Sequence, residues 1–318
     1  MVTRCRIGFV GAGGVAARHA RMLAGFGDVE LVAVTDLDPD RARAFGPRAV
    51  PGVPELIDSG IDAAYVCVPP MAHGPAEEAL AEAGIPMFVE KPIALDTDLA
   101  DRVAAALDRA GVLASVGHHW RYSAAVERAR EVLDGRSVRL AIGAWLDRVP
   151  PVPWWVRRDS SGGQVIEQAI HVLDLARLLA GEVTEVHAVA DGAPPSAPDA
   201  DVDGATVATL RFADGGVGTL VATCLLGWKH RAGLEVFADG LALSVAEDVL
   251  EVRDGDGAQV QRVDPDDAKR AADRDFVDAV LGRTAGVRTS YAEAVRTHRL
   301  AHAIARSATR GIPVRLDG

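Results

Sequence analysis

The 318-residue chain is 49% apolar and carries 34 basic against 45 acidic residues, a net charge of −11. This predicts well-filled cores and length enough for two domains, and the absence of any Lys/Arg block argues against nucleic acid or an anionic membrane as partner. No signal-peptide core or spanning apolar run is present, so a cytoplasmic protein is expected, while Cys5, Cys67 and Cys224, odd in number and far apart, predict buried reduced thiols with neither disulfides nor a metal site.

In chain order, a short apolar strand at 6–10 runs into Gly11-Ala12-Gly13-Gly14-Val15-Ala16 and then a helix-compatible stretch at 17–23. Strand, glycine turn and helix together form a dinucleotide fingerprint. Gly11 permits the tight turn, Gly13 lets backbone amides approach a pyrophosphate, and Ala16 is small enough for close helix-to-strand packing. With Ala12, Gly14 and Val15, these residues put the pyrophosphate on a helix N-terminus. The next strand, 31–35, ends at Asp36, where a carboxylate can accept from the adenosine ribose hydroxyls. A 2′-phosphate would meet that carboxylate, and the following Leu37 supplies no cation, so NAD is expected over NADP.

Further strands are predicted at 63–68, 87–89 and 113–116, with helices at 76–83 and 99–110 between them and a loop over 46–54. Strands alternating with helices predict a doubly wound parallel sheet, the Rossmann pattern, over residues 1–117. Glu90-Lys91-Pro92 follows the strand 87–89, which places Lys91 at a strand's carboxyl end, where doubly wound sheets bind ligands. A solvated loop lysine is the alternative at this point.

The texture changes after Gly117. One long helix is predicted over 164–179, with Glu167, His171 and Asp174 spaced i, i+4, i+7 on one face beside Gln164 and Gln168. The stripe suits acid–base work, and a plain amphipathic helix also accounts for it. Asp-Gly turns at Asp214-Gly215, Asp239-Gly240 and Asp254-Gly255 then separate apolar runs at 207–212 and 217–223, 234–238 and 241–245, 249–253 and 259–263, predicting hairpins. With a surface loop over 191–203 and closing helices at 268–281 and 291–309, residues 118–318 read as an α+β domain with a large, mainly antiparallel sheet. All five tryptophans lie in this half. Trp154-Trp155, flanked by prolines and followed by Arg157-Arg158, suggest a pocket wall with Arg157 facing the substrate.

These motifs resemble the glucose-fructose oxidoreductase, inositol dehydrogenase and MocA family, Gfo/Idh/MocA. The matching residues are Gly11-Ala12-Gly13-Gly14 with His19, Pro69-Pro70 with His73, Glu90-Lys91-Pro92, Gly162-Gly163, and His171 with Asp174. The resemblance implies an NAD-dependent oxidoreductase acting on a sugar, cyclitol or related polyol. It implies that Lys91 and His171 are catalytic, with Glu167 standing where the polyol dehydrogenases commonly carry Asp. It further implies that Pro69, His73, Glu90 and Lys91 line the cofactor, and that His119, Arg121 and Asp174 meet the substrate. At His118-His119-Trp120-Arg121-Tyr122 the chain departs from the Asn and Arg that many relatives carry before an aromatic residue. A homodimer or homotetramer built on the open sheet is also implied. Two other functions in the superfamily are a non-catalytic sugar- and dinucleotide-binding regulator, and a glycosidase that uses NAD transiently. Retention of both Lys91 and His171 favours the dehydrogenase over the regulator.

Overall fold

The computed structural model describes residues 4–316. The chain divides into two units, one holding residues up to Gly117 with Lys269–Val295, the other His118–Ala268 with the chain from Arg296 onward. Two consecutive segments, 1–117 and 118–318, would put 269–295 in the second unit, and the structure places it in the first.

The first unit contains six parallel strands: β1 (Cys5–Val10), β2 (Val29–Thr35), β3 (Arg48–Ala49), β4 (Ala63–Val66), β5 (Met87–Val89) and β6 (Ala114–Val116). Their order is β3-β2-β1-β4-β5-β6. The central strands are apolar without alternation because both faces are covered; all four residues of β4 are buried. Strand order reverses between β1 and β4, and the glycine turn leaves β1 at that crevice.

The returning segment belongs here for physical reasons. Phe276, fully buried, packs edge-on against Tyr65 and Phe88, at centroid distances of 5.6 and 5.8 Å, and those two rings stack at 4.9 Å. Arg274 donates to Asp28 at 2.9 Å, and the Thr289 carbonyl accepts the Val116 amide at 2.9 Å. No local pattern marks the segment, since its helix, Pro265–Val280, begins before the boundary between the units.

The second unit is built on nine strands: β7 (Leu140–Leu146), β8 (Val183–Ala190), β9 (Ala205–Phe212), β10 (Val217–Thr223), β11 (Arg231–Ala238), β12 (Leu241–Ala246), β13 (Val249–Asp254), β14 (Gly257–Arg262) and β15 (Val314–Arg315). They lie in the order β14-β13-β12-β11-β7-β10-β9-β8-β15, antiparallel except for the pair β7 and β10. The three Asp-Gly hairpins form as β9–β10, β11–β12 and β13–β14. Buried and exposed residues alternate along β9, as expected for a sheet covered on one face only. The helix Ile170–Ala180 lies on that covered face, against β7 and β11. Among the described residues, no helix is long and apolar enough to cross a membrane.

Truncating Phe276 should destabilise the protein by about 3–5 kcal/mol, the usual cost of emptying a fully buried aromatic site. Urea unfolding of Phe276→Ala checks this. A change below about 1 kcal/mol would mean that the returning segment is not part of the first unit's core.

Candidate active site

In the first unit the glycine turn is shaped by a close approach. Gly11 has φ +92°, and a Cβ there would lie 2.3 Å from the Cys67 carbonyl oxygen, so a side chain is excluded. Gly13 and Gly14 face the other way, since a Cβ on either would meet nothing within 4 Å. The helix Gly14–Ala24 starts at Gly13 with no side-chain cap, leaving its first amides unsatisfied within the helix beside that open space. Val15 is exposed at the same end. Asp36 is fixed against the turn, Oδ2 accepting the Ala12 amide at 2.7 Å and Oδ1 the Asp38 amide at 2.8 Å. An open cradle of amides with an adjacent carboxylate fits the pyrophosphate and ribose of NAD.

Pro69 leads into a short 3-10 turn, Pro70–Ala72, after β4. His73 does not present itself as a cofactor ligand. It is buried, with Nδ1 2.5 Å from Glu77 Oε1, while Glu77 Oε2 accepts the Gly74 amide at 2.7 Å. His73 thus helps close the start of the helix Pro75–Glu82.

Glu90 is also turned inward. Its Oε1 lies 2.8 Å from His19 Nε2 and 3.5 Å from Arg18 Nη2, and its Oε2 accepts the Lys91 amide at 3.2 Å. Burial raises its carboxyl pKa, but the His19 hydrogen bond and neighbouring cations prevail and hold it at about 2. Lys91 stands two residues past Val89, the last of β5, at the strand's carboxyl end.

In the second unit the expected single helix over 164–179 is broken. Gln164–Glu167 ends at Gln168, and the chain restarts as Ile170–Ala180. The Gln168 and Ala169 amides share the Gln164 carbonyl, while the Gln164 side-chain amide donates to the Thr223 carbonyl at 2.7 Å and to Gln168 Oε1 at 3.2 Å. These bonds tie the break to β10, so Glu167 and His171 do not share a turn of one continuous helix. Glu167 instead accepts the Trp155 indole N–H at 2.6 Å.

His171 opens the second helix beside two indoles that stand 6.0 Å from each other. Trp120 and Trp145 each lie 5.9 Å from its ring on near-parallel planes (13° and 25°), while His119 and His118 approach edge-on at 5.0 and 6.0 Å. One turn on, Asp174 accepts both Arg121 Nε and Nη2 at 2.7 Å, and the Thr297 hydroxyl at 2.8 Å. Burial opposes ionisation of Asp174, but His118, Arg121 and Thr297 hold its pKa below the usual value. Arg121 and Asp174 are therefore joined in a buried ion pair that anchors the His171 helix.

The remaining candidates separate. His119 lies 3.7 Å from Glu247, whose carboxyl is held well below its ordinary range by His119, against burial, and by Lys229. Lys229 bonds Glu247 at 3.1 Å and sits 5.2 Å over the Trp145 ring. Trp155 is a core residue, fully buried with Val156, Val202 and Cys224, and only Trp154 of the pair is partly exposed. Arg157 is partly exposed and donates to the Asp199 carbonyl in the 191–203 loop. Reasoning from sequence missed Trp120, Trp145, Lys229 and Glu247. The concentration of tryptophans in this half was the available signal for the first two.

Residues 5–118 match the family model described as an oxidoreductase family with NAD-binding Rossmann fold, and residues 126–241 match the Gfo/Idh/MocA C-terminal domain. A myo-inositol dehydrogenase of Streptomyces leeuwenhoekii is 34% identical over 68% of this chain and 69% of its own length. The myo-inositol 2-dehydrogenase of Thermotoga maritima is 30% identical over 73% and 72%. In fold, the chain resembles levoglucosan dehydrogenase solved with NADH and levoglucosan, with a TM-score of 0.89 over 99% of this chain and 100% of that one at 22% identity.

Replacing Asp174 by Asn should cost about 3–5 kcal/mol at neutral pH, because Arg121 is left buried without its counter-charge. The stabilisation from a depressed carboxyl pKa is complete above the unfolded value of about 3.9 and is lost as pH falls through the lower folded value. Denaturant unfolding of wild type and Asp174→Asn should therefore converge in acid, and a gap that does not depend on pH would contradict the assignment.

Proposed function

The chain belongs to the Gfo/Idh/MocA oxidoreductases and is an NAD-dependent enzyme of the sugar and cyclitol dehydrogenase type, and from that premise we propose that it oxidises a polyol carbinol with Lys91 and His171 as catalytic residues. The observation that carries this assignment is His171 packed in one cluster with Trp120 and Trp145, on a helix anchored by the Arg121–Asp174 pair. Oxidising a carbinol moves a hydride from carbon and a proton from oxygen. When bound, NAD supplies the two-electron acceptor. The Gly11–Gly14 turn and Asp36 hold its pyrophosphate and ribose, Lys91 orients and polarises the substrate oxygen, and His171 takes the proton. Glu167 enters through Trp155, whose indole it holds, and His119 with Lys229 and Glu247 contributes the polar wall. Indole rings beside hydrogen-bonding groups suit a ring polyol, whose C–H faces are apolar and whose edges are hydroxyls.

The open face of the nine-stranded sheet carries Val189, Val207 and Val217 exposed, which supports a homodimer or homotetramer formed on it. Light scattering at micromolar concentration measures this directly, and a monomer would end that assignment.

A panel of myo-inositol, levoglucosan and common aldoses, with absorbance of the reduced cofactor as readout, tests the substrate class. NAD should exceed NADP in kcat/KM by tenfold or more, about 1.4 kcal/mol per decade, because of the Asp36 carboxylate. Equal use of both would remove Asp36 from cofactor choice. Lys91→Ala should lower turnover about a hundredfold or more and leave NAD affinity within a few-fold. His171→Ala should cost about a hundred- to ten-thousandfold and flatten the rise of oxidation with pH. A folded variant of either that turns over normally would strike that residue from the mechanism. Glu167→Gln should cost less than either, since the amide oxygen still accepts from Trp155.

A further inference from the structure

His19 lies deep in the first unit, in the helix that leaves the glycine turn, and the reaction as assigned does not use it. Its ring joins two buried carboxylates, with Nδ1 2.6 Å from Asp273 Oδ1 and Nε2 2.8 Å from Glu90 Oε1. Carboxylates only accept, and a neutral imidazole has a single N–H for the two of them, so both bonds are made only by the imidazolium. We propose that His19 is a positioning residue for Lys91: as a buried cation between Asp273 and Glu90, it fixes the carboxylate that receives the Lys91 amide.

Glu90 is confined on every side that the structure describes. Oε1 meets His19 and Arg18, Oε2 takes the Lys91 N–H, and the carboxylate lies flat against Gly117, where a Cβ would stand 2.9 Å from Cδ and from both oxygens. The rings of Tyr65 and Phe88 close over His19 at 5.2 and 5.0 Å. The ionisable groups around it are Asp273, Glu90, Arg18, Tyr65 and Cys67, with Lys91 beyond Glu90. The Tyr65 phenol and Cys67 thiol, pushed up first by burial and then by these carboxylates, stay neutral and bring no charge of their own.

Burial disfavours the His19 cation, but Asp273 foremost, then Glu90, raise its pKa to about 9. The cation is therefore complete at neutral pH and is lost as pH rises through about 9. One carboxylate then loses its imidazole N–H, and Glu90, on the longer of the two bonds, is left with Arg18 at 3.5 Å and the Lys91 amide at 3.2 Å. Glu90 is released to turn, and the strand end carrying Lys91 loosens with it. The kinetic consequence is an alkaline limb in kcat, and it rests on Lys91 being catalytic as assigned above.

The test follows the His19 ring and the Lys91 amide together by NMR, in the whole protein without substrate, from neutral pH to about 10, alongside kcat for the polyol turned over fastest in the panel. Both signals should share one step near pH 9. Asp273→Asn removes the largest cause of the raised pKa and should move that step, and the alkaline limb, down by about one unit or more. His19→Gln should abolish the step and lower kcat about tenfold or more with NAD affinity within a few-fold. If His19→Gln does not fold, Asp273→Asn carries the test. A Lys91 amide that stays flat while His19 titrates overturns the proposal, and so does a shared step in variants whose kcat and pH profile match wild type. Normal turnover in Lys91→Ala would instead overturn the assignment of the site, and the shared NMR step would still judge the relay.

Discussion

Both units depend on the need to compensate charge taken out of water. An ion buried without a partner is prohibitive, so the buried carboxylates here have donors, local ones for Glu77 and ones from distant parts of the chain for Glu90, Asp174 and Asp273. In the first unit the chain Asp273, His19, Glu90, Arg18 alternates in sign across the interior. It also explains why residues 269–295 return to this unit. Asp273 completes a charge balance that the first 117 residues leave open, and Phe276 fills the aromatic cluster beside it.

The second unit repeats the solution around different residues. Arg121, Asp174, Thr297, Arg177 and Glu182 form a connected series, with Arg177 donating to Thr297 at 2.7 Å and to Glu182 at 2.6 Å. The series joins the helix Ile170–Ala180 to the turn His119–Tyr122 and to the long C-terminal helix. His171 inherits its position from that frame. Its ring is then set by contact with Trp120 and Trp145, so the proposed acid–base group is held by aromatic packing and by buried charge one turn away.

Much of the fold was legible from the sequence because its signals are local. The apolar runs of β1, β4 and β5, the glycine turn, and the Asp-Gly hairpins each specify backbone geometry within a few residues. β7 escaped notice although it lies at the centre of its sheet, since Leu140–Leu146 has little alternation and no turn signal of its own. The helix over 164–179 was legible as helical and misread as continuous. Periodicity cannot register a side chain such as Gln164 that leaves its helix to bond a strand carbonyl.

The candidate site divides along the same line. Gly11, Gly13 and Asp36 were readable because a close backbone approach and a strand end are written in neighbouring residues. The Glu90-Lys91-Pro92 and His171 positions came from motif resemblance. Nothing local indicated that Glu90 and His73 turn inward, that Trp155 is core while Trp154 is partly exposed, or that Asp174 is paired with Arg121. The sequence alone determined the two sheet types and the dinucleotide turn, since periods of two and 3.6 residues and the demands of a tight turn act over short stretches of backbone. Only the tertiary structure decided which polar side chains face one another. His19 and Asp273, 254 residues apart, become partners once closure of the fold leaves each without water.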